Sequence, residues 1–251
     1  MRSIGGFVAA AVLAMALPRV AAADEVEIKD SYFKYGGVRY FRGKAENIEI
    51  GSYGQKKEPL TSTNYLAVEA KIASENLASY SKAHTVTKVA IDWAKYNKTD
   101  VSTSFGFKYF TMGAKTALTG SYEQFKSAKL QLVKIVIDEG PMKTTINKSN
   151  GVRNFLKDEG GDGRVVIEVW VAMEAQLASH FSNSTVFSLS GKAGSALEIT
   201  GKLTASSTGS GAQTITISKG TTFAYLLEKV KDWNKDKTQV LDMEDDQQSV
   251  N

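Results

Sequence analysis

Apolar residues follow one another so regularly in the run RVVIEVWVAM, residues 164–173, that both faces of an extended chain would be hydrophobic. β-Branched residues dominate the run, and Glu168 is its one charged interruption after Arg164. Such a run predicts a strand buried on both faces rather than a helix. Because this strand needs packed layers on both sides, we expect it in the middle of the fold. A buried carboxylate needs a partner, so we expect a lysine on an adjacent strand to pair with Glu168.

Upstream of this strand, the pattern predicts a β-hairpin over residues 26–41 that turns at Gly36 and Gly37. The alternation of its aromatic residues favours packing in the core and across the strands, with an exposed ligand platform as the alternative. A short strand over residues 47–50 and a polar loop over residues 51–59 are expected next.

Residues 65–158 carry both helical and strand-like patterns. Residues 65–80 alternate at their start, yet their length and their Ala and Glu content favour a helix. The other elements predicted before the central strand are strands over residues 85–96, 101–112 and 129–137 and a short helix over residues 150–158. The third of these strands is expected to end at Gly140 and Pro141, because proline cannot donate to a strand ladder.

After the central strand, short segments carry Ser, Thr and Lys on one face and aliphatic residues on the other, at residues 185–190, 197–204 and 214–218. This pattern is typical of strands half-buried in a sheet. Residues 205–212 are expected to form a loop between the last two of them. The apolar residues of 223–233 recur at helical spacing and favour a helix. The acidic residues 242–251 are predicted to form a flexible, solvated tail.

Together these elements predict a single β-dominated α+β domain over residues 24–241, with a twisted, mostly antiparallel sheet and a few short helices. Residues 1–23 have the features of a signal peptide: Arg2, an apolar run to Leu17, and the cleavage-site residues Ala21 to Ala23. The apolar run is too short to span a membrane. We therefore expect export, as a secreted or periplasmic protein.

The amino-acid composition excludes several kinds of partner and site. Without Arg2 and Arg19, 29 basic residues stand against 27 acidic ones, and no basic stripe suggests nucleic acid as a partner. The absence of cysteine excludes disulfides, thiol catalysis and cysteine-ligated zinc. With only His84 and His180, the chain cannot build a multi-histidine metal site. We expect no metal and no cofactor.

Catalytic motifs are also lacking. No nucleophile elbow or phosphate-binding glycine loop occurs. Asp232, Asn234 and Asp236 have the spacing of calcium-loop ligands, but Lys237 stands where that loop needs glycine, which favours solvated charges. Acid–base chemistry would have to rest on scattered groups, for which ordinary structural roles are favoured: His84, His180, Asp92, Asp162 and Glu168. We therefore assign no catalytic residue and expect no enzyme.

The last part of the chain, mainly residues 101–230, resembles the N-terminal pore-forming domain of gasdermins. The resemblance rests on RVVIEVWVAMEA, on the Ser/Thr-rich strand pair that follows, and on ISKGTTFAYLLEKV at residues 217–230. It implies a membrane-permeabilising fold in which residues 223–227 form a strand, in contrast to the helical spacing. Gasdermins act from the cytosol, whereas the N-terminus here predicts export.

Two functions remain as hypotheses. The first is a membrane-active, pore-forming β protein whose two-faced segments at residues 101–120, 129–137 and 196–218 turn their apolar side to lipid and line an aqueous lumen with Ser, Thr and Lys. A strand needs ~9–11 residues to span a bilayer, which these segments roughly supply. Anionic lipid is the expected partner, with several copies assembling on the membrane. The residues expected to contact the headgroups are Lys126, Lys129 and Lys134.

The second hypothesis is an exported binding or structural module that recognises another protein or a glycan. It depends on exposed sheet edges and on the hairpin aromatics Tyr32, Phe33, Tyr40 and Phe41. Partial exposure of these four side chains together would support it. Burial of all four would remove its main basis.

Overall fold

The computed structural model of this protein describes residues 25–57, 65–72, 87–101, 107–114, 117–179, 186–190, 200–204 and 220–247. These residues confirm a single β-dominated α+β domain with one large antiparallel sheet and a few short helices. The predicted signal peptide, His84, His180 and the segments at residues 205–212 and 214–218 lie outside the described residues.

Fourteen strands and five short α-helices are described. The strands are β1 (Glu27–Ile28), β2 (Tyr32–Tyr35), β3 (Val38–Phe41), β4 (Ser52–Lys56), β5 (Leu66–Lys71), β6 (Thr87–Ala90), β7 (Phe107–Tyr109), β8 (Leu118–Gly120), β9 (Leu130–Val136), β10 (Gly163–Glu174), β11 (Val186–Ser190), β12 (Thr200–Thr204), β13 (Thr222–Trp233) and β14 (Val240–Asp246). The helices are α1 (Lys98–Val101), α2 (Tyr122–Ser127), α3 (Glu139–Lys148), α4 (Asn150–Glu159) and α5 (Ala175–Ser179).

Strand β10 is the hub of a ten-stranded sheet with the order β1-β2-β3-β13-β10-β4-β5. On its other edge β10 pairs first with β4 and then, near its end, with β9, which in turn pairs with β6. Strand β14 pairs with β13. Two separate two-stranded sheets are formed by β7 with β8 and by β11 with β12. One strand long enough to serve two neighbours on the same edge therefore organises the sheet.

The central strand predicted at residues 164–173 is confirmed. Every residue of β10 except Glu168 and Glu174 is buried. The Trp170 ring is packed edge-on against Phe33, Tyr35 and Tyr40 of the N-terminal hairpin, at centroid distances of 5.1–5.4 Å. Edge-on aromatic pairs contribute ~0.5–1.5 kcal/mol each beyond the area they bury. The hairpin is therefore fixed to the middle of the sheet by its aromatic residues.

The predicted hairpin is also confirmed, with its turn at Gly36 and Gly37. Both glycines have positive φ, 57° and 81°, as a two-residue turn of the primed type requires. Phe33, Tyr40 and Phe41 are buried, at 0%, 2% and 2% exposure, and Tyr32 is half-buried. These aromatic residues are core and cross-strand packing, not an exposed platform.

Three predictions between residues 47 and 72 are wrong. Residues 45–47 form a 3₁₀ helix where a strand over 47–50 was expected, and the expected loop over 51–59 contains β4. The helix expected from residue 65 is strand β5, because pairing with β4 outweighs the helix propensity of its Ala and Glu residues. At Gly54 in β4 an added Cβ would lie 1.9 Å from the Ala67 carbonyl oxygen, so this glycine lets the two strands approach closely.

The elements predicted between residues 85 and 158 are confirmed in part. Strand β9 confirms the strand over residues 129–137, and α4 confirms the short helix over 150–158. The strand expected over 85–96 is limited to β6 and is followed by a 3₁₀ helix at Trp93–Lys95. Within 101–112 the described strand is β7, and Val101 ends α1. Helix α3 was not predicted, since Pro141 was interpreted as ending a strand when it lies in the first turn of a helix, where proline is tolerated.

Two predictions near the C-terminus are wrong. Residues 223–233 lie in strand β13, not in a helix. Every residue from Thr222 to Glu228 is buried, so both faces of the strand are apolar and the sequence also fits helical spacing. The acidic tail expected from residue 242 is strand β14 as far as Asp246, because Val240 and Met243 are buried and two of its carboxylates pair with lysines of β13.

Candidate functional site: a carboxylate cluster around buried Glu228

Three carboxylates from adjacent strands share one face of the sheet. Glu228 on β13 is the cross-strand partner of Asp245 on β14, and directly opposite residues lie on the same face. Leu226, two positions before Glu228, lies on that face too and is opposite Glu168 on β10. A register shift between Val166 and Glu168 makes this arrangement. Without the bulge, Glu168 would point to the other face of the sheet.

Glu228 is the most buried of these acids, with 5% of its surface exposed. Its Oε2 atom is buried and has no hydrogen-bond partner. Burial, and to a smaller extent the nearby carboxylates of Asp245, Glu139 and Glu168, raise the pKa of Glu228 to about 8 against the opposing effect of Lys143. A carboxyl group with this pKa is mostly protonated at neutral pH.

Glu168 has the lysine partner that its apolar neighbours predicted. Lys134 Nζ, on the adjacent strand β9, lies 3.4 Å from Glu168 Oε2, and the two side chains are 20% and 13% exposed. Burial nevertheless raises the pKa of Glu168, more than Lys134 and a hydrogen bond from Tyr40 lower it. The Trp170 Nε1–H beside them is buried without a hydrogen-bond partner. The polar groups of this cluster are thus only partly satisfied.

Helix α3 covers β14 and completes the cluster. Glu139 in its first turn forms an ion pair with Lys143 at 2.9 Å, and Lys143 Nζ donates to the Leu241 carbonyl at 3.2 Å. The Asn147 side chain binds the backbone of Val240 twice, accepting from its N–H at 2.7 Å and donating to its carbonyl at 3.0 Å. We call Glu139, Glu168, Glu228 and Asp245 the carboxylate cluster. Its members come from four elements, α3, β10, β13 and β14, and meet near the middle of β13.

Asp246, which follows Asp245 on β14, is paired with a cation and not with another acid. Asp246 is on the other face of the sheet, where Arg164 Nε donates to its Oδ2 at 2.6 Å and the Tyr65 hydroxyl donates at 3.1 Å. Arg164 itself is 3% exposed and also donates to the carbonyls of Gly161 and Gly163. Asp246 is therefore held by a cation, whereas Asp245 next to it is opposite another acid, Glu228.

A second buried charge, Arg42, lies at the end of the N-terminal hairpin and is 1% exposed. Its guanidinium donates to four backbone carbonyls, of Lys29, Asp100, Val101 and Phe223, at 2.5–3.4 Å. Burial lowers the pKa of Arg42, and the charges of Asp30 and Asp100 oppose this. Because the guanidinium joins the hairpin, α1 and β13, we interpret it as structural.

The three lysines proposed to contact lipid are not equivalent. Lys129 is exposed, Lys126 is half-buried with Nζ 5.3 Å from the centroid of the Tyr122 ring, and Lys134 is paired with Glu168. Lys134 is therefore an ion-pair partner of the carboxylate cluster and not a free cation. Asp92 pairs with Lys95 at 3.5 Å.

The calcium-like spacing after β13 is a turn. Asn234 Oδ1 accepts hydrogen bonds from the backbone N–H groups of Thr238 and Gln239, at 2.8 and 3.0 Å, and so closes the β13–β14 connection. Among the described residues, no three His, Asp or Glu side chains are placed to hold a metal ion. The arrangement supports proton binding at buried acids, and we assign no catalytic residue to it.

Sequence reasoning found Glu168 and missed Glu228 and Asp245. Glu168 is conspicuous as one charge in an apolar strand, whereas Glu228 ends the run FAYLLE, which was interpreted as a helix. Interpreted as a strand, that run puts Glu228 on the same face as Leu226, which would have indicated a buried acid.

Within the parts of the chain that the structure describes, no helix is both long and apolar enough to cross a membrane. A scan against protein-family models, a search of curated proteins and a search of solved structures gave no significant match to this chain. The resemblance to gasdermins therefore stays a prediction, and the function is argued below from the structure alone.

Proposed function

We propose that this protein is an exported, membrane-active β protein that forms pores, and that the hairpin of β11 and β12 inserts into the bilayer. The observation that carries this proposal is the position of the hairpin. Strands β11 and β12 pair with each other, and among the described elements they join no strand of the ten-stranded sheet. A two-stranded hairpin is marginally stable on its own in water, so it gains stability from any surface that covers one face.

The register of this hairpin separates apolar from polar residues. Phe187 is opposite Leu203, and Leu189 is opposite Gly201. On the alternate positions Ser188 is opposite Lys202, and Ser190 is opposite Thr200. Since opposite residues share a face, one face is apolar and the other is rich in Ser, Thr and Lys. In a membrane barrel the first face would contact lipid and the second would line the lumen.

The hairpin of β7 and β8 is a second candidate for membrane contact. Two exposed apolar side chains lie in it or beside it, Met112 at 38% and Leu118 at 48% exposure. It is tied to the sheet at Phe110, whose N–H donates to the Ala172 carbonyl at 2.9 Å and whose carbonyl accepts from Glu174 N–H at 2.8 Å. We therefore expect it to contact the membrane surface while β11 and β12 insert.

We do not propose that strand β9 inserts into the membrane. It is paired on both sides, with β6 and β10, and the side chains of Leu132 and Val133 are completely buried. Its transfer to lipid would open the centre of the sheet. Lys126 and Lys129 just before it remain in the proposal as contacts for anionic headgroups, contributing ~1 kcal/mol each near the surface.

Dye release from vesicles of phosphatidylcholine and phosphatidylglycerol, with the chain from residue 24 onward, tests this proposal. We expect leakage from these vesicles and little from phosphatidylcholine alone. Phe187→Asp puts a charge on the lipid face and should abolish leakage, because an aspartate at the bilayer centre costs ~2.5–3.5 kcal/mol in membrane insertion. Ser188→Asp, on the polar face of the same strand, is the matched control and should leave leakage unchanged.

Absence of both leakage and co-sedimentation across pH would contradict membrane activity and leave the binding module as the better account. Equal leakage by the two aspartate variants would contradict the role of the hairpin. The binding module itself has lost support at the N-terminal hairpin, because Phe33, Tyr40 and Phe41 are buried.

A further inference from the structure

We propose that Glu228 is a protonation switch: in its neutral form it allows β14 and α3 to pack on the sheet, and its ionisation loosens them. The switch is a property of the fold and does not depend on membrane activity. It rests on the positions of the carboxylate cluster, on the charges that face it, and on the way β14 is attached.

Carboxylates from the elements next to β13 lie close to Glu228. Glu228 is directly opposite Asp245 on β14, and like charges directly opposite each other in an antiparallel pair are destabilising. Glu168 approaches from β10 on the other side of β13. Glu139 comes from α3, the helix that covers β14. Ionised Glu228 would therefore meet a carboxylate from each of three elements.

The cations in the cluster do not balance these acids. Lys134 from β9 lies against Glu168 at 3.4 Å and also acts on Asp245, and Lys143 from α3 pairs with Glu139 at 2.9 Å. Within the described part of the chain, four ionised carboxylates against Lys134 and Lys143 would leave two excess negative charges around the buried Glu228. Tyr40 from β3 also faces Glu168, and burial raises its pKa, so it stays neutral. Lys231 of β13 acts on Glu139 but is paired with Asp242 at 2.8 Å.

Glu228 is the member that takes the proton. It is 95% buried, and its Oε2 accepts no hydrogen bond, whereas Glu168 and Glu139 have lysine partners. With a pKa of about 8, about one tenth of Glu228 is ionised at pH 7 and about nine tenths at pH 9. The switch therefore operates over the pH range just above neutral.

Strand β14 is the part that responds. Strand β13 is held by β10 and β3, whereas β14 pairs with β13 alone among the described strands. The two ends of β14 are fixed by Asn147 at Val240 and by Arg164 at Asp246. The stretch between them has neither anchor and is held to β13 by its backbone pairing and by the ion pairs of Asp242 and Glu244 with lysines of that strand. It contains the buried Met243 and the exposed Asp245, which is opposite Glu228. Ionisation of Glu228 should open this stretch first.

The absence of cysteine gives a clean test. Met243→Cys introduces one thiol that is buried only while β14 is packed, since Met243 is 5% exposed. Its labelling rate, divided by that of a free cysteine peptide at the same pH, reports opening. We expect the normalised rate to rise about tenfold from pH 7 to pH 9, following the ionised fraction of Glu228. In the double variant with Glu228→Gln the rate should stay at its pH 7 value.

The control is Glu244→Gln in the Met243→Cys background. Glu244 is on the same strand, is 43% exposed and pairs with Lys229 at 2.9 Å. We expect this variant to keep the pH-dependent rise. A normalised rate that is constant with pH when Glu228 is present would overturn the proposal, and so would an equal rise after Glu228→Gln.

If Met243→Cys does not fold, the unsubstituted chain gives the same answer. The carboxyl carbon of Glu228 can be followed by NMR, and backbone exchange in β14 and β10 can be compared after correction for intrinsic rates. A Glu228 carboxyl that titrates near pH 8 together with faster exchange in β14 alone supports the switch. A carboxyl that titrates below pH 6, or exchange in β14 that does not follow Glu228, overturns it.

Discussion

Replacement of the buried Arg42 by methionine should destabilise the fold strongly. The guanidinium donates to backbone carbonyls of three segments that are distant in sequence: Lys29 after β1, Asp100 and Val101 in α1, and Phe223 in β13. Methionine has a similar length and can fill much of the space, but it donates no hydrogen bond. The substitution therefore isolates the loss of the donors from the loss of packing.

The expected size follows from which carbonyls lose their partner. The bond to Val101 is 2.7 Å and buried, while those to Lys29 and Asp100 are part-buried and can be replaced by water. The bond to Phe223 is long, at 3.4 Å. One or two buried carbonyls left unpaired cost ~1–3 kcal/mol each. Removal of a buried charge returns part of this. We expect a net loss of about 3 kcal/mol, or a fall of about 6–12 °C in Tm.

Urea unfolding followed by tryptophan fluorescence measures this loss. The matched control is Arg39→Met on β3, where the guanidinium lies 4.7 Å from the Tyr32 ring centroid and is half-exposed, so we expect a loss within ~1 kcal/mol. The reasoning would be refuted if Arg42→Met lost less than ~1 kcal/mol, or no more than Arg39→Met, because the four carbonyls would then not depend on the guanidinium.

Two further predictions concern β14 and its neighbours. Burial raises the pKa of Glu228 from 4.5 to about 8, so its cost to stability is absent below pH 4.5, grows between these values and is complete above pH 8. Glu228→Gln should therefore leave the free energy of unfolding unchanged at pH 4 and raise it at pH 9, by at most about 5 kcal/mol, as measured by urea unfolding at both pH values; a gain that is equal at pH 4 and pH 9 would contradict this. Asn147→Ala removes both hydrogen bonds to the Val240 backbone and should cost ~2 kcal/mol with faster amide exchange at Val240, whereas unchanged exchange there would show that water replaces the side chain.

The central strand could be predicted from the sequence because burial on both faces leaves a direct trace, an apolar β-branched run at residues 164–173. The same physical situation misled the interpretation of β13. Its residues Phe223, Leu226, Leu227 and Val230 are apolar because both faces of the strand are covered, and such a run matches helical spacing as well. Only the pairing with β10 decides between the two.

Edge elements were predicted least well. Strand β5 has the Ala and Glu content of a helix and depends on its pairing with β4. The acidic residues of β14 favoured a solvated tail, because only two apolar residues of this strand, Val240 and Met243, are buried and mark it as part of the sheet. For these strands the stabilising contacts come from partners far away in sequence, which a local pattern does not record.

The candidate site could also be predicted only where a local sequence pattern reveals it. Glu168 could be recognised as a buried acid, and its lysine partner could be expected, since both follow from the composition of one strand. The meeting of Glu228 with Asp245 requires the register of β13 and β14, and the position of Glu168 beside them requires a bulge. Arg42 lies in a polar stretch, FRGKAE, in which nothing distinguishes it from a surface residue.

The two hydrogen bonds between Asn147 and Val240 have a consequence for assembly. A side-chain amide carries the same donor and acceptor as a peptide group, so Asn147 takes the place that a neighbouring strand would occupy at the start of β14. Lys143 occupies the next carbonyl, at Leu241. A second copy of the protein therefore cannot add a strand at this start of β14 while α3 is in place. Among the described edges, strand addition can instead use β5 with its exposed Val68, or it requires α3 to move first.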